Sequence, residues 1–153
     1  MALIATASAV GVAWAKTLGL PVGTAVATTV PDASSWPVAG GSTSRAFLQV
    51  VGTGGGNVRD TPMRSSVLSF DAWATKTGSD RPPIELAENI LADLMQACFD
   101  DQSRAVSVTA NGVTVLVHSA WPITEHARRI PDQDTSRAHY SVDVQIMWTA
   151  EGS

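Results

Sequence analysis

A chain of 153 residues with a formal net charge of −4 is expected to form one domain, because this length buries a core without disulfides or metals. The acidic balance argues against a protein that grips phosphate backbones, and a single cysteine excludes an internal disulfide. Residues 1–44 contain only two charged residues, Lys16 and Asp32. This uncharged third has two interpretations, a surface that other chains cover or a composition bias without structural meaning.

The N-terminal segment predicts a helix from about residue 2 to residue 18. Leu3, Ala7, Val10, Trp14 and Leu18 recur every three or four residues, which gives one apolar stripe. No Lys or Arg precedes the apolar run, which disfavours a secretion signal, and the run is too short to span a bilayer. We therefore expect synthesis in the cytoplasm.

Two strands and a loop are predicted next. Val22–Val30 is rich in Val and Thr, which favours a strand that Pro31 ends. Ser34–Ser44 contains many turn-forming residues and predicts a loop. Arg45–Gly52 has apolar residues at both odd and even positions, so we expect a strand that is buried on both sides.

A glycine cluster, Gly52–Asn57, follows the second strand. Phosphate-binding loops require a helix after the glycines and a Lys with Ser or Thr, and neither is present here. The cluster is therefore interpreted as a flexible hairpin connection between Arg45–Gly52 and Ser66–Thr75.

The middle of the chain predicts a strand and then a helix. Leu68, Phe70, Ala72 and Ala74 alternate with more polar residues, which indicates a half-buried strand. The helix is predicted from Pro82 to Phe99, with Asp80 as its capping residue. Its buried stripe is expected to contain Ala87, Ile90, Leu91, Leu94 and Cys98, so that Cys98 is an inert buried thiol.

The last third predicts a hairpin, a long arm and a final strand. Asn111-Gly112 between Arg104–Ala110 and Val113–Ala120 is a strong hairpin signal. The alternation from Tyr140 to Trp148 predicts a strand that lines the core. Between them, Trp121–Ser136 has mixed charges and no sustained period, and is interpreted as a long arm or loop.

No residue pattern predicts catalysis, a cofactor or a metal. His118, His126 and His139 are not at metal-ligand spacing, and no nucleophile elbow or dinucleotide fingerprint occurs. A solvated loop is favoured over a hydrolytic centre of His126, Asp132 and Asp134.

The five tryptophans fall into two groups. Three lie on periodic elements and are expected in the core: Trp14, Trp73 and Trp148. Trp36 and Trp121 each precede a proline in an irregular segment, which favours either an interface anchor or a side chain folded back on its own core.

The order of elements resembles that of the tail terminator, or tail completion, proteins of long-tailed bacteriophages. The resembling segments are Leu20–Val30, Phe47–Gly56, Val67–Leu94 and Arg137–Trp148. The resemblance implies a single α/β (α+β) domain over residues 1–153, with one mixed, mostly antiparallel sheet and helices packed on it. It also implies a structural protein and not an enzyme.

The resemblance further implies a ring, of six copies in that family, that caps the completed tail tube and joins the tail to the head. The implied partners are other copies of the chain, the tail tube protein and a head-completion or neck protein, without specific nucleic acid or membrane. The implied location is the tail-neck region of the virion, after assembly in the host cytoplasm. Two alternatives stay open, another neck or head-completion connector and a small hydrolase or nucleotide-binding enzyme.

The ring contacts are predicted to use the irregular segments Gly52–Met63 and Trp121–Ser136, because arginines of one subunit can meet carboxylates of the next in a head-to-tail contact. A disordered, solvated arm that binds nothing is the competing interpretation. The predicted interface residues are Trp36, Arg59, Asp60, Trp121, Glu125, Arg128, Arg129, Asp132, Asp134 and Arg137.

Overall fold

The computed structural model describes residues 5–23, 25–39, 43–57, 63–79, 81–100, 105–131 and 136–150. Within these ranges the chain forms one mixed sheet with two α-helices, so the predicted α+β fold class is confirmed. In chain order the elements are α1 (Ala7–Lys16), β1 (Val26–Ala27), a 3-10 helix (Ala33–Ser35), β2 (Ser44–Asn57), β3 (Arg64–Lys76), α2 (Ile84–Ala97), β4 (Val106–Ala110), β5 (Val113–Pro122), β6 (Arg128–Arg129) and β7 (Arg137–Ala150).

The sheet has the strand order β1-β2-β3-β7-β5-β4, with β6 pairing to β7 beside β5. The pair β1–β2 is parallel, and the other described pairs are antiparallel. The final strand, β7, therefore lies inside the sheet and connects the β1–β3 half to the β4–β5 half. Its apolar positions from Tyr140 to Trp148 are buried, as the alternation predicted.

The hairpin of β2 and β3 is longer than expected. The glycine cluster does not form a flexible connection, because Gly52–Asn57 continues β2 and pairs with Arg64–Leu68 of β3. Main-chain pairing needs no side chains, so glycines can extend a strand whose partner strand is well defined. Gly55 has φ of 108°, and a Cβ there would overlap the carbonyl oxygen of Ser65. The connection itself falls at residues 58–63, of which 58–62 lie outside the described residues.

Helix α1 packs against β4 and also contacts β1, β2 and β3. It begins after Thr6, whose Oγ1 accepts a hydrogen bond from the N–H of Ala9 at 3.3 Å. It is shorter than predicted, and residues 1–4 lie outside the described residues. Trp14 is fully buried and meets the ring of Phe70 edge-on, with 5.9 Å between ring centroids.

Helix α2 buries the predicted stripe. Ala87, Ile90, Leu91 and Leu94 are fully buried against β3 and β7, and Cys98 follows them into the core. The Sγ of Cys98 donates to the carbonyl oxygen of Leu94, four residues earlier, at 3.4 Å. The predicted capping residue, Asp80, lies outside the described residues, and the cap position is occupied by Pro83.

Two local predictions had different outcomes. The predicted strand over Val22–Val30 is wrong in extent, since only Val26–Ala27 pairs with β2. A turn in which the N–H of Gly23 donates to the carbonyl oxygen of Leu20 delays the strand, and a bend follows directly after it. The Asn111-Gly112 hairpin is confirmed, with φ of 53° and 76° at the two turn residues.

Candidate functional surface

The two faces of the sheet have different surroundings. Both α-helices pack on the face formed by Leu68, Phe70, Ala72 and their cross-strand neighbours. The odd-numbered side chains of β3 lie on the opposite face and are half-buried. We call this opposite face, which neither α-helix covers, the open face; its central residues are Phe47 and Gln49 of β2, Ser69, Asp71 and Trp73 of β3, and His139, Ser141 and Asp143 of β7.

A polar cluster occupies the middle of the open face. Register places Asp71 directly beside Ser141, and Ser69 beside Asp143. The hydroxyl of Ser69 donates to Oδ1 of Asp71 at 3.1 Å and also shares a hydrogen bond of 2.9 Å with the hydroxyl of Ser141. Nε2 of His139 lies 3.8 Å from Oδ1 of Asp71, which is too long for a hydrogen bond.

The pKa of Asp71 lies below its ordinary value. Burial alone raises this pKa, but the neighbouring His139 ring and the hydroxyls of Ser141 and Ser69 stabilise the carboxylate and outweigh the burial. Asp71 is therefore a fixed negative charge on the open face at neutral pH.

This cluster does not have the geometry of a nucleophilic site. A catalytic serine needs its hydroxyl within hydrogen-bond reach of a base such as histidine. Here the hydroxyl of Ser69 bonds to Asp71 and Ser141. The cluster links neighbouring strands and gives the open face a defined charge pattern.

Aromatic rings lie beside the polar cluster. Trp73 and His139 stack with ring centroids 3.7 Å apart and an interplanar angle of 18°. Nε1 of Trp73 and Nε2 of His139 are both buried without a hydrogen-bond partner among the described residues. An unpaired buried polar atom costs about 1–3 kcal/mol, so these two nitrogens lower the stability of the fold.

The position of Trp73 corrects the prediction that it is a core residue. It occupies an odd-numbered position of β3, whereas the core side chains of this strand are even-numbered. The alternation in the sequence contains this information, because Ala72 and Ala74, on either side of Trp73, share a face with Leu68 and Phe70. Trp14 and Trp148 are buried in the core as expected.

Trp36 is not an exposed interface anchor. Its side chain is 1% exposed, stacks on Phe47 with centroids 6.5 Å apart, and donates from Nε1 to the carbonyl oxygen of Pro31 at 2.9 Å. The guanidinium of Arg137 lies 5.8 Å from the centre of the same ring. The alternative that the loop tryptophan folds back on its own chain is therefore correct. It also explains why Phe47, on the open face, is buried.

The segment after β5 does not project as a free arm over its described length. The N–H of Ile123 donates to the carbonyl oxygen of Asp143 at 2.8 Å, and the chain returns to β7 as β6, where Arg128 pairs with Ser141. The guanidinium of Arg128 lies 3.6 Å from the carboxylate of Asp143 in the same chain. The predicted contact between Arg128 and a carboxylate of the next subunit therefore competes with an internal ion pair.

Several predicted interface residues remain on the surface. Trp121 is 37% exposed, and Ile123, which was not among the predicted residues, is 50% exposed. Glu125 is almost fully exposed, and so is His126, which lies 3.8 Å from it and was not among the predicted interface residues. Arg129 is exposed on the other side of the sheet, near Tyr140. The remaining predicted residues lie outside the described residues: Arg59, Asp60, Asp132 and Asp134.

Arg129 lies close enough to Tyr140 to influence its pKa. Burial and the nearby carboxylate of Glu88 on α2 raise the pKa of Tyr140, while Arg129 opposes this effect. Arg129 thus has charged and polar neighbours within its own chain. Trp121, Ile123, Glu125 and His126 are exposed side chains of the same segment.

Comparison with protein-family models and with curated proteins finds no match. Over the described residues, no helix is long and apolar enough to cross a membrane. The same residues contain no group of three or more His, Cys, Asp or Glu side chains arranged to hold a metal ion.

Proposed function

We propose that this protein forms a ring of identical subunits that caps the completed tail tube of a long-tailed bacteriophage and joins the tail to the head. The observation that supports assembly is the one-sided sheet. Neither α-helix covers its open face, and two exposed apolar side chains, Trp121 and Ile123, flank it. Such a face gains most when another chain supplies its second layer.

The resemblance in element order supports the particular assembly. In this proposal the partners are other copies of the chain in a six-fold ring, the tail tube protein on one side and a head-completion or neck protein on the other. The protein then resides in the tail-neck region of the virion. Its contribution is shape and binding specificity, and it uses no cofactor.

Trp121 is the described residue best placed to anchor a partner. It lies at the end of β5 on the same side of the sheet as Gln145, its cross-strand neighbour, and keeps more than a third of its surface accessible. Partly exposed tryptophans beside a polar rim are typical anchors of protein interfaces.

The test uses a phage genome that lacks this gene, complemented with plasmid-encoded variants. The wild-type chain should restore virions, whereas the double variant Trp121→Asp with Ile123→Asp should give tails of uncontrolled length or tails not joined to heads in electron micrographs. Ala92→Asp, on the exposed side of α2, is the matched control and should restore virions. Normal virions from the double variant would contradict the proposed surface.

A binding assay separates the proposed function from the connector alternative. Purified protein is incubated with isolated tail tubes and, separately, with filled heads. Capping of tube ends supports the tail terminator, whereas binding to heads alone identifies a head-completion connector. Normal virions from the genome without the gene would contradict both.

A further inference from the structure

The chain leaves α2 with an exposed aromatic side chain. Phe99 is 62% exposed, the largest exposed fraction among the large apolar side chains of the described residues. Its backbone is nevertheless fixed, because the N–H of Phe99 donates to the carbonyl oxygen of Gln96 at 3.0 Å and the N–H of Asp100 donates to that of Ala97 at 3.1 Å. An anchor that is held in place before binding loses little conformational entropy when it binds. We call Phe99 and Asp100 the α2 tip.

The α2 tip is acidic. Residues 84–100 contain four carboxylate residues and no Lys or Arg: Glu85, Glu88, Asp93 and Asp100. Asp100 is exposed next to Phe99. The negative end of the helix dipole lies at the same place and adds to the charge of Asp100. A surface that receives the α2 tip must therefore combine apolar contact with positive charge.

A pocket of about 450 Å³ lies at the other end of α2. This volume is within the range of small-molecule sites, about 300–1,000 Å³. Pro82, Pro83, Ile84 and Leu86 form the apolar part of its wall, and all four are half-buried, so apolar surface stays accessible. We call this cavity the α2 pocket.

The charged part of the pocket wall is positive on balance. Lys76 and Arg81 line the α2 pocket, and Glu85 is the one carboxylate residue that lines it with them. Both cations are exposed, and neither forms an ion pair with a carboxylate among the described residues. A carboxylate that enters the pocket is favoured, because charge-assisted hydrogen bonds are stronger than neutral ones. The α2 pocket thus has both properties that the α2 tip requires.

We propose that the α2 tip of one copy docks in the α2 pocket of the next copy. The ring of Phe99 covers the proline-lined wall. The carboxylate of Asp100 faces the two cations, Lys76 and Arg81. Aromatic anchors that enter a pocket are typical of the few residues that dominate the energy of an interface. This inference rests on the proposed ring, whose subunit contact it specifies.

Charge complementarity identifies the occupant as a second copy. The acidic tip and the basic pocket belong to one chain, but they lie at opposite ends of one helix. The 14 residues of α2 alone span about 21 Å, so the tip does not reach the pocket of its own chain. A contact between two different surfaces of identical subunits is head-to-tail, and it repeats until the ring closes.

The test cross-links the unmodified protein. A carbodiimide joins a carboxylate to an amine in direct contact, and Lys16 and Lys76 are the two lysines of the chain. Equal amounts of isotope-labelled and unlabelled protein are mixed at high concentration, cross-linked, digested and examined by mass spectrometry. The expected product is an amide between Lys76 and Asp100 that joins a labelled to an unlabelled peptide. It should be at least tenfold more abundant than the link between Lys16 and Asp100.

Two variants test the geometry of the contact. Phe99→Ser removes the aromatic ring and Arg81→Glu reverses one charge of the pocket, and each should reduce the Lys76–Asp100 link at least tenfold. Val51→Ser also removes an exposed apolar side chain, on the open face of the sheet, and as the matched control it should leave the link unchanged. All three side chains are exposed, and thermal melts verify that the variants fold.

Absence of the Lys76–Asp100 link between copies, or a link that both variants leave unchanged, overturns this inference. A dominant link between Lys76 and Glu125 also overturns it, because the exposed residues around Trp121 would then occupy the pocket. The outcome is separate from that of the proposed function. A genome without the gene that still makes normal virions removes the tail role and leaves the trapped contact standing. Failed tails without any Lys76–Asp100 link leave the tail role and remove this contact.

Discussion

The covered face and the open face of the sheet are built from the same strands, yet they stabilise the molecule in different ways. On the covered face, alternate residues such as Leu68, Phe70 and Val142 are fully buried under the chain's own helices. On the open face, their neighbours Ser69 and Asp71 form side-chain hydrogen bonds and stay half-buried. Stability thus resides mainly on the covered face.

The largest expected effect on stability comes from a substitution on the covered face. Leu91→Ala removes the centre of the buried stripe of α2 and should lower the free energy of unfolding by about 2–5 kcal/mol. Gln96→Ala, on the exposed side of the same helix, should change it by less than about 0.5 kcal/mol. Denaturant titrations measure both. Equal midpoints for Leu91→Ala and the parent would show that this face is not the core.

A second prediction compares two glycines. A Cβ at Gly11 of α1 would lie 2.5 Å from Cδ1 of Leu68 and 2.9 Å from Cγ1 of Val50. Gly11→Ala should therefore destabilise the protein by about 1–3 kcal/mol, although alanine favours helix formation. Gly54→Ala, which meets open space, should leave stability unchanged or slightly higher. A stabilised Gly11→Ala would show that α1 is not packed so tightly.

A third prediction concerns the unpaired nitrogen of the open face. Trp73→Phe keeps an aromatic ring over His139 but removes the buried N–H that has no partner among the described residues. Its free energy of unfolding should equal or exceed the parent's by up to about 1 kcal/mol. Trp14→Phe on the covered face should instead destabilise, because it leaves a cavity. Calorimetry measures the free energy of unfolding of both variants. An equal loss in Trp73→Phe and Trp14→Phe would contradict the distinction between the two faces.

The smallest expected effect is a pH dependence. The folded state holds the pKa of Asp71 below its unfolded value of about 3.9, so the carboxylate stabilises the fold above that pH. This contribution is lost as the pH falls through the lower, folded pKa. Asp71→Asn should therefore have a lower free energy of unfolding than the parent at neutral pH. The difference between the two proteins should become smaller in acid. A gap that stays constant from pH 7 to about pH 2 would contradict the shift.

Sequence reasoning was successful where the signal is local. The spacing of Ala87, Ile90, Leu91 and Leu94 predicts the buried side of α2, and Asn111-Gly112 predicts its hairpin, because both depend on neighbouring residues alone. The extent of β2 was not predictable in this way. Glycines have low strand propensity, and the well-defined strand Arg64–Leu68 determines that they pair.

The candidate surface was predictable only in part. Alternation in β3 assigns Asp71 and Trp73 to the face opposite the core, and it was available in the sequence. That His139 stacks on Trp73 depends on the register between β3 and β7, which are separated by α2, β4, β5 and β6. Trp36 was ambiguous for a similar reason, since its burial depends on Phe47 of a neighbouring strand.

The internal position of β7 has a consequence for how the protein folds. β3 and β5 do not touch each other in the strand order, so the two halves of the sheet become one only when β7 pairs with both. Each of these pairings closes a long loop, and such non-local contacts slow folding to about milliseconds or seconds. Until β7 enters, β3 and β5 each present an unpaired edge. The newly made chain is therefore most exposed to misassociation just before its last strand is in place.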